Sequence, residues 1–182
     1  TVQSFMKRRG GDAIISKGRK LKRTHAALFA DIERRYGVPA GPLLAIWGME
    51  TGFGSFMGNQ NTISAITTLA YDCRRPEMFI PHAIAALKLV DRGILSASSV
   101  GAAHGEIGHT QFLPDNVLKY GVGSQNLRVM ETALASTANF LRGHGYAGGP
   151  ASANKGAIAG WNKASVYQQA IIIMADAIDQ GR

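Results

Sequence analysis

The sequence predicts an all-α fold, and three observations carry that expectation. Apolar residues recur at helical spacing along most of the chain, as in Leu21, His25, Leu28, Phe29, Ile32 and Tyr36 on one face. Glycines and prolines punctuate the pattern at helix-length intervals. No pair of alternating segments joined by a hairpin turn is present. With 182 residues, 46% hydrophobic and 18% charged, the chain reads as globular and long enough to bury a core.

The elements follow in order. The first helix, carrying that Leu21 to Tyr36 face, stops at Gly37-Val38-Pro39. A second runs from about Ala40 to Thr51, and a third, from about Thr62 to Asp72, carries Ile63, Ile66 and Leu69. Pro76 and Pro81 precede "AIAALKLVDRG", whose Gly93 marks a stop. Gly101, Gly105 and Gly108 break the chain before Pro114 opens a short helix. "ETALASTANFLRGHG" forms another, and residues 145–160 are expected as a loop. "WNKASVYQQAIIIMADAIDQG" closes the chain as a helix, with Asn162 or Ser165 as its N-cap. No run of about 18 apolar residues suggests a membrane span.

The net charge of +8 is localised. Residues 1–23 hold eight bases and the single acid Asp12, so the rest of the chain is almost neutral. The expected organisation is therefore a basic arm over residues 1–23 and one domain over 24–182. The arm would face a polyanionic partner, such as a cell-wall polymer or an anionic membrane surface, or serve only as a solvated tail. A nucleic-acid enzyme would spread its charge over a binding face, so no nucleic acid is expected. The single cysteine, Cys73, excludes an internal disulfide and a cysteine-rich zinc site.

"LLAIWGMETGFG" is the segment with a chemical signal. Glu50 follows Leu43, Leu44, Ile46, Trp47 and Met49, and glycines at 52, 54 and 58 come just after it. A carboxyl against apolar walls holds its proton to higher pH, which suits a general acid. From this segment alone the alternative is an ordinary helix-end glutamate facing water. In "HGEIGHTQFLP", Gln111 and Phe112 form a candidate sugar-binding wall through hydrogen bonding and ring stacking, and Glu106 is a candidate second carboxylate. His104 and His109 lack metal-ligand spacing, so neither metal nor cofactor is expected. Arg74 and Arg75 suit a carboxylate partner or cap their loop. Trp161 and Tyr167, taken singly, read as core residues.

Together these segments resemble bacterial lytic murein transglycosylases of the B type. The order "YGVPAGPLLAIWGMETGFG", "TLAYDCRR", "GEIGHTQFLP", "ALASTANFLRGHGY", "WNKASVY" carries the likeness, from about His25 to the C-terminus. The resemblance implies a lysozyme-like helical domain with long cleft-forming loops. It implies cleavage of the β-1,4 bond between N-acetylmuramic acid and N-acetylglucosamine of peptidoglycan, leaving a 1,6-anhydro end. Glu50 would be the sole acid/base, with Gln111, Phe112, Asn162, Tyr167, Trp161, Arg74 and Arg75 binding the glycan or its stem peptide. It further implies a monomer in the periplasm or cell envelope. A hydrolytic muramidase using Glu106 or Asp72, and a non-catalytic wall-binding module, are the alternatives. Two departures stand out. Gly105-Glu106-Ile107-Gly108 replaces Gly-Ala-Met-Gly, and "GVGSQNLR" lacks the acids of a calcium loop, so calcium is not expected.

Overall fold

Helix forms wherever apolar residues keep a 3.6-residue period, and in the computed structural model ten α-helices account for most of residues 1–181, the residues the structure describes. They are α1 (Val2–Arg8), α2 (Gly11–Thr24), α3 (Ala26–Tyr36), α4 (Ala40–Thr51), α5 (Thr62–Tyr71), α6 (Pro76–Asp91), α7 (Pro114–Tyr120), α8 (Met130–Gly143), α9 (Lys155–Trp161) and α10 (Ser165–Gln180). A 3-10 turn covers Ala151–Ala153, and two-residue strands β1 (Gln60–Asn61) and β2 (Val100–Gly101) pair antiparallel. Among the described residues, no helix is long and apolar enough to cross a membrane.

By their contacts these residues group into two units, one of residues 1–53 with the described residues from 137 on, the other of residues 54–136. The first is built on α4, against which α2 and α10 pack. The stretch expected as a basic arm is helical here. Ile14 of α2 is buried, and two of the arm's cations have specific tasks. Arg19 donates twice to the Ala177 carbonyl near the end of α10, at 3.1 and 2.8 Å, and Lys22 pairs with Asp179 at 3.4 Å. Cations belong at a helix C-terminus, where unpaired carbonyls gather. The second unit pairs α5 with α6 around Ile66, Phe79 and Ala86, with Ile63, Leu69 and Ala83 packed on them.

The structure corrects several element boundaries. The helix expected through Leu21 and Tyr36 breaks at His25, where Thr24 turns its hydroxyl back onto the Lys20 carbonyl at 2.9 Å. Pro81 lies inside α6, not before it. The face Phe79, Ala83, Ala86 keeps its helical period through the proline, and packing against α5 outweighs the lost N–H. Residues 145–160 are only partly loop. Asn154 accepts the Ala147 N–H and donates to the Gly148 and Pro150 carbonyls, folding the glycine-rich stretch into a turn from which α9 starts. Finally, α10 begins at Ser165 with Ala164 as its N-cap.

Candidate active site

Every residue of α4 is buried except Glu50, which is partly exposed. A helix apolar on all sides must sit in the core, so its one carboxylate is brought to the surface only at its last turn. Gly52, at φ 55°, ends the helix in the left-handed region that glycine adopts at no steric cost. The Gly52 and Phe53 N–H groups take the Gly48 and Trp47 carbonyls at 3.1 and 3.2 Å, and the Met49 carbonyl accepts from Arg9 Nη2 at 3.0 Å. Phe53 has φ 60°, a strained value for a non-glycine residue. Its ring is held edge-on to Trp47 at 5.4 Å, with Lys17 Nζ 5.3 Å from its centroid.

Tyr167, in the first turn of α10, donates its phenol O–H to Glu50 Oε1 at 2.5 Å. Burial pushes this phenol well above its ordinary pKa, and the Glu50 charge and hydrogen bond add to that. It is therefore a fixed donor. Trp161, at the end of α9, lies close enough to the same phenol to lower its pKa against those larger effects, and stands edge-on to Phe140 at 5.1 Å. An indole can only donate, so it does not compete for the phenol O–H, which serves the carboxylate. The structure thus joins Tyr167 to Glu50, with Trp161 beside the phenol. Asn162 bonds locally instead, its Oδ1 accepting from Ala164 N–H at 2.9 Å and its carbonyl from Gln168 at 2.7 Å.

The remaining candidates lie in residues 54–136. Gln111 also has a left-handed backbone, φ 66°, and its amide nitrogen donates to the Gly108 carbonyl at 2.8 Å and the Met57 carbonyl at 3.4 Å. Both amide hydrogens serve the loop, so the carbonyl oxygen is the group left for a ligand hydroxyl. Phe112 is 2% exposed, its backbone paired with Ile107, so its ring fills the unit's core and is not an open stacking wall. The β-bridge places Ile107 and Phe112 on the same inward side.

Arg74 and Arg75 are not equivalent. Arg74 grips Asp72 through Nε and Nη2 at 2.6 to 3.0 Å, and that bond holds the Asp72 carboxyl down to about 2. Arg75, by contrast, has no ion pair among the described residues. Both border a cavity of about 230 Å³ with Asp72, Leu69, Phe79 and His104. Glu106 Oε1 is buried without a hydrogen-bond partner, with His104 Nδ1 4.0 Å from it.

The sequence reading missed that Arg9 and Lys17 reach the end of α4, Arg9 at the Met49 carbonyl and Lys17 at the Phe53 ring. Their contacts span dozens of residues and follow no short-range pattern, so composition alone placed them in an arm.

The chain belongs to the family described as the transglycosylase SLT domain, which matches residues 1–156. Among curated proteins it is 29% identical, over 121 residues, to the membrane-bound lytic murein transglycosylase B of Escherichia coli (strain K12). That match covers 63% of this chain but 34% of the relative, so the chain spans about a third of that protein's length. Among solved structures, SltB3 from Pseudomonas aeruginosa in complex with NAG-anhNAM-pentapeptide is 26% identical with a TM-score of 0.89, over 100% of this chain and 67% of the other. The soluble lytic transglycosylase SltB1 from the same organism is 23% identical with a TM-score of 0.83, over 93% and 80%, and shows the fold alone. The all-α, lysozyme-like fold expected from sequence is the fold of these neighbours.

Proposed function

We propose that the protein is a peptidoglycan lytic transglycosylase with Glu50 as its only acid/base. The observation that carries this reading is the Tyr167 phenol donating to Glu50 Oε1 at 2.5 Å, at the sole solvent-reaching position of a buried helix. Glu50 protonates the glycosidic oxygen between N-acetylmuramic acid and N-acetylglucosamine. The same carboxylate then takes the proton of the muramic C6 hydroxyl as that oxygen attacks C1. One C–O bond breaks, another forms, and the product carries a 1,6-anhydro ring with no water consumed. Because the nucleophile belongs to the substrate, the second carboxylate of an ordinary glycosidase is not required, and proximity supplies part of the rate.

Around this step, Tyr167 and Trp161 orient the carboxyl, and Asn162 borders them in sequence. Gln111, through its carbonyl oxygen, is proposed to accept a hydroxyl or amide of the glycan. Arg75, with Arg74 locked on Asp72, is proposed to take a carboxylate of the stem peptide. The exposed Lys7, Arg8 and Lys20 on α1 and α2 would face an anionic wall or membrane surface, and the site of action would be the periplasm or cell envelope, with the protein working as a monomer.

Glu50→Gln tests the assignment. It keeps the shape and removes the proton, so release of fragments from purified sacculi should fall by roughly 10²-fold or more. Undiminished release would remove Glu50 from the role.

A further inference from the structure

Residues at the edge of a catalytic group are often chosen for the field they place there, and Arg9 is the cation this structure brings to the end of α4. We propose that Arg9 is a positioning residue for the acid/base: bonded to the Met49 carbonyl, its guanidinium closes the C-terminal end of α4 and fixes a positive charge beside the Glu50–Tyr167 pair. This deepens the proposed function and rests on Glu50 being the acid/base.

Three observations support it. Arg9 Nη2 donates at 3.0 Å to the carbonyl of the residue immediately before Glu50. The neighbouring Trp47 and Gly48 carbonyls are taken by backbone N–H groups, so Arg9 serves one that they leave. A helix C-terminus gathers unpaired carbonyls and partial negative charge, which a cation there relieves. Arg9 is itself oriented by Phe5, whose ring centroid is 5.5 Å from its guanidinium carbon. Its field also reaches the site. Arg9 pulls the Tyr167 phenol downward, against the larger effects of burial and Glu50, and that phenol bonds directly to Glu50.

Charged and titratable groups facing this end of α4 include Tyr167 from α10, Arg9 at the end of α1, and Lys17 of α2, which reaches Phe53. Those beside α3, namely Glu33, Lys22 and Asp179, line a groove with Ala40 at the opposite end. That is roughly 15 Å away along a helix rising about 1.5 Å per residue. Of the two cations Arg9 is the one bonded to the helix itself, and a guanidinium can hold a carbonyl while keeping its charge at any working pH.

The test is the pH–rate profile of the full chain on purified sacculi, for wild type, Arg9→Gln, Arg9→Lys, Arg92→Gln and Glu50→Gln. A nearby cation favours the carboxylate, so its removal lets Glu50 keep its proton to higher pH. Arg9→Gln should move the alkaline limb upward by about half a unit, the order expected for one exposed, screened charge. Its kcat should fall several-fold with KM little changed. Arg9→Lys should restore the limb. Arg92→Gln, which removes the same charge from an exposed position at the end of α6, should leave the limb in place and so exclude a general charge effect on an anionic substrate. If Gln is not accommodated, Arg9→Met keeps the stem against Phe5 and carries the same expectation. A profile for Arg9→Gln that superimposes on wild type, with Glu50→Gln inactive, would overturn the role of Arg9 and leave that of Glu50 intact. An active Glu50→Gln would overturn the proposed function itself.

Discussion

Tyr167 and Glu50, 117 residues apart, are joined by a 2.5 Å hydrogen bond in which the phenol is the donor. The Trp161 indole beside this phenol can only donate, so it does not compete with the carboxylate for the phenol hydrogen. Tyr167→Phe keeps the ring and removes that donor. Activity on sacculi should drop by roughly 10²-fold while the circular dichroism spectrum stays the same. A variant within a factor of two of wild type would show that the bond does not orient the acid.

Gly48 lies on the side of α4 that faces Ile14 and Phe53. A Cβ at this position would come 2.6 Å from Ile14 Cγ2 and 2.9 Å from Phe53 Cζ. Gly48→Ala should therefore lose about 1–3 kcal/mol in urea denaturation, despite alanine's better helix propensity. It should also displace Phe53, so activity should fall more than stability alone explains. An alanine variant as stable as wild type would contradict this packing.

His82 of α6 does for α7 what the residue before that helix cannot. Leu113, the N-cap, has no side-chain acceptor, and His82 Nδ1 takes the Asp115 N–H at 3.1 Å instead. Burial lowers the His82 pKa below 6.5; the Asp115 charge opposes this and Lys119 adds to it. The folded state therefore favours the neutral ring, so this stabilisation is complete above pH 6.5 and declines as pH falls below it. His82→Ala should cost about 1 kcal/mol at pH 8. His82→Asn keeps an acceptor and does not titrate, so the wild type should lose ground to it on acidification. His109, also lowered by burial, remains in both proteins and cancels in the comparison.

Asp179 behaves in the opposite sense. Burial raises its pKa, although the Gly41 N–H and Lys22 act to lower it. A carboxyl whose folded pKa is raised is most favourable when protonated, so stability declines as pH rises above about 4 through the folded value. Asp179→Asn can still accept the Gly41 N–H and carries no charge. Urea midpoints of the two proteins should approach each other near pH 4 and separate above it, with the asparagine variant the more stable. Parallel curves would show that the Lys22 pair fully offsets the burial.

Much of this was legible from sequence because it is local. The uninterrupted apolar run of α4 announced a core helix, and an acid at its end was conspicuous for that reason. The glycine stops at Gly37 and Gly52 were equally plain. What escaped depends on distant partners. Arg19 and Lys22 looked like a solvated charge run until the end of α10 supplied carbonyls and Asp179 for them. Phe112 looked like a ligand wall, yet its pairing with Ile107 turns it into the core. The paired arginines looked alike, and only Asp72 distinguishes them. Pro81 read as a boundary, whereas packing of Phe79 and Ala86 carries α6 through it.

The central claim is that Glu50 cleaves peptidoglycan by transferring its proton without water, and a mass spectrum of the products tests it most directly. Sacculi digested by the wild-type chain should yield muropeptides lighter by one water than those with reducing ends, and Glu50→Gln should yield almost none. Reducing ends from the wild type would show a hydrolase, with Glu106 the first carboxylate to examine, and equal yields from the two proteins would contradict the assignment of Glu50.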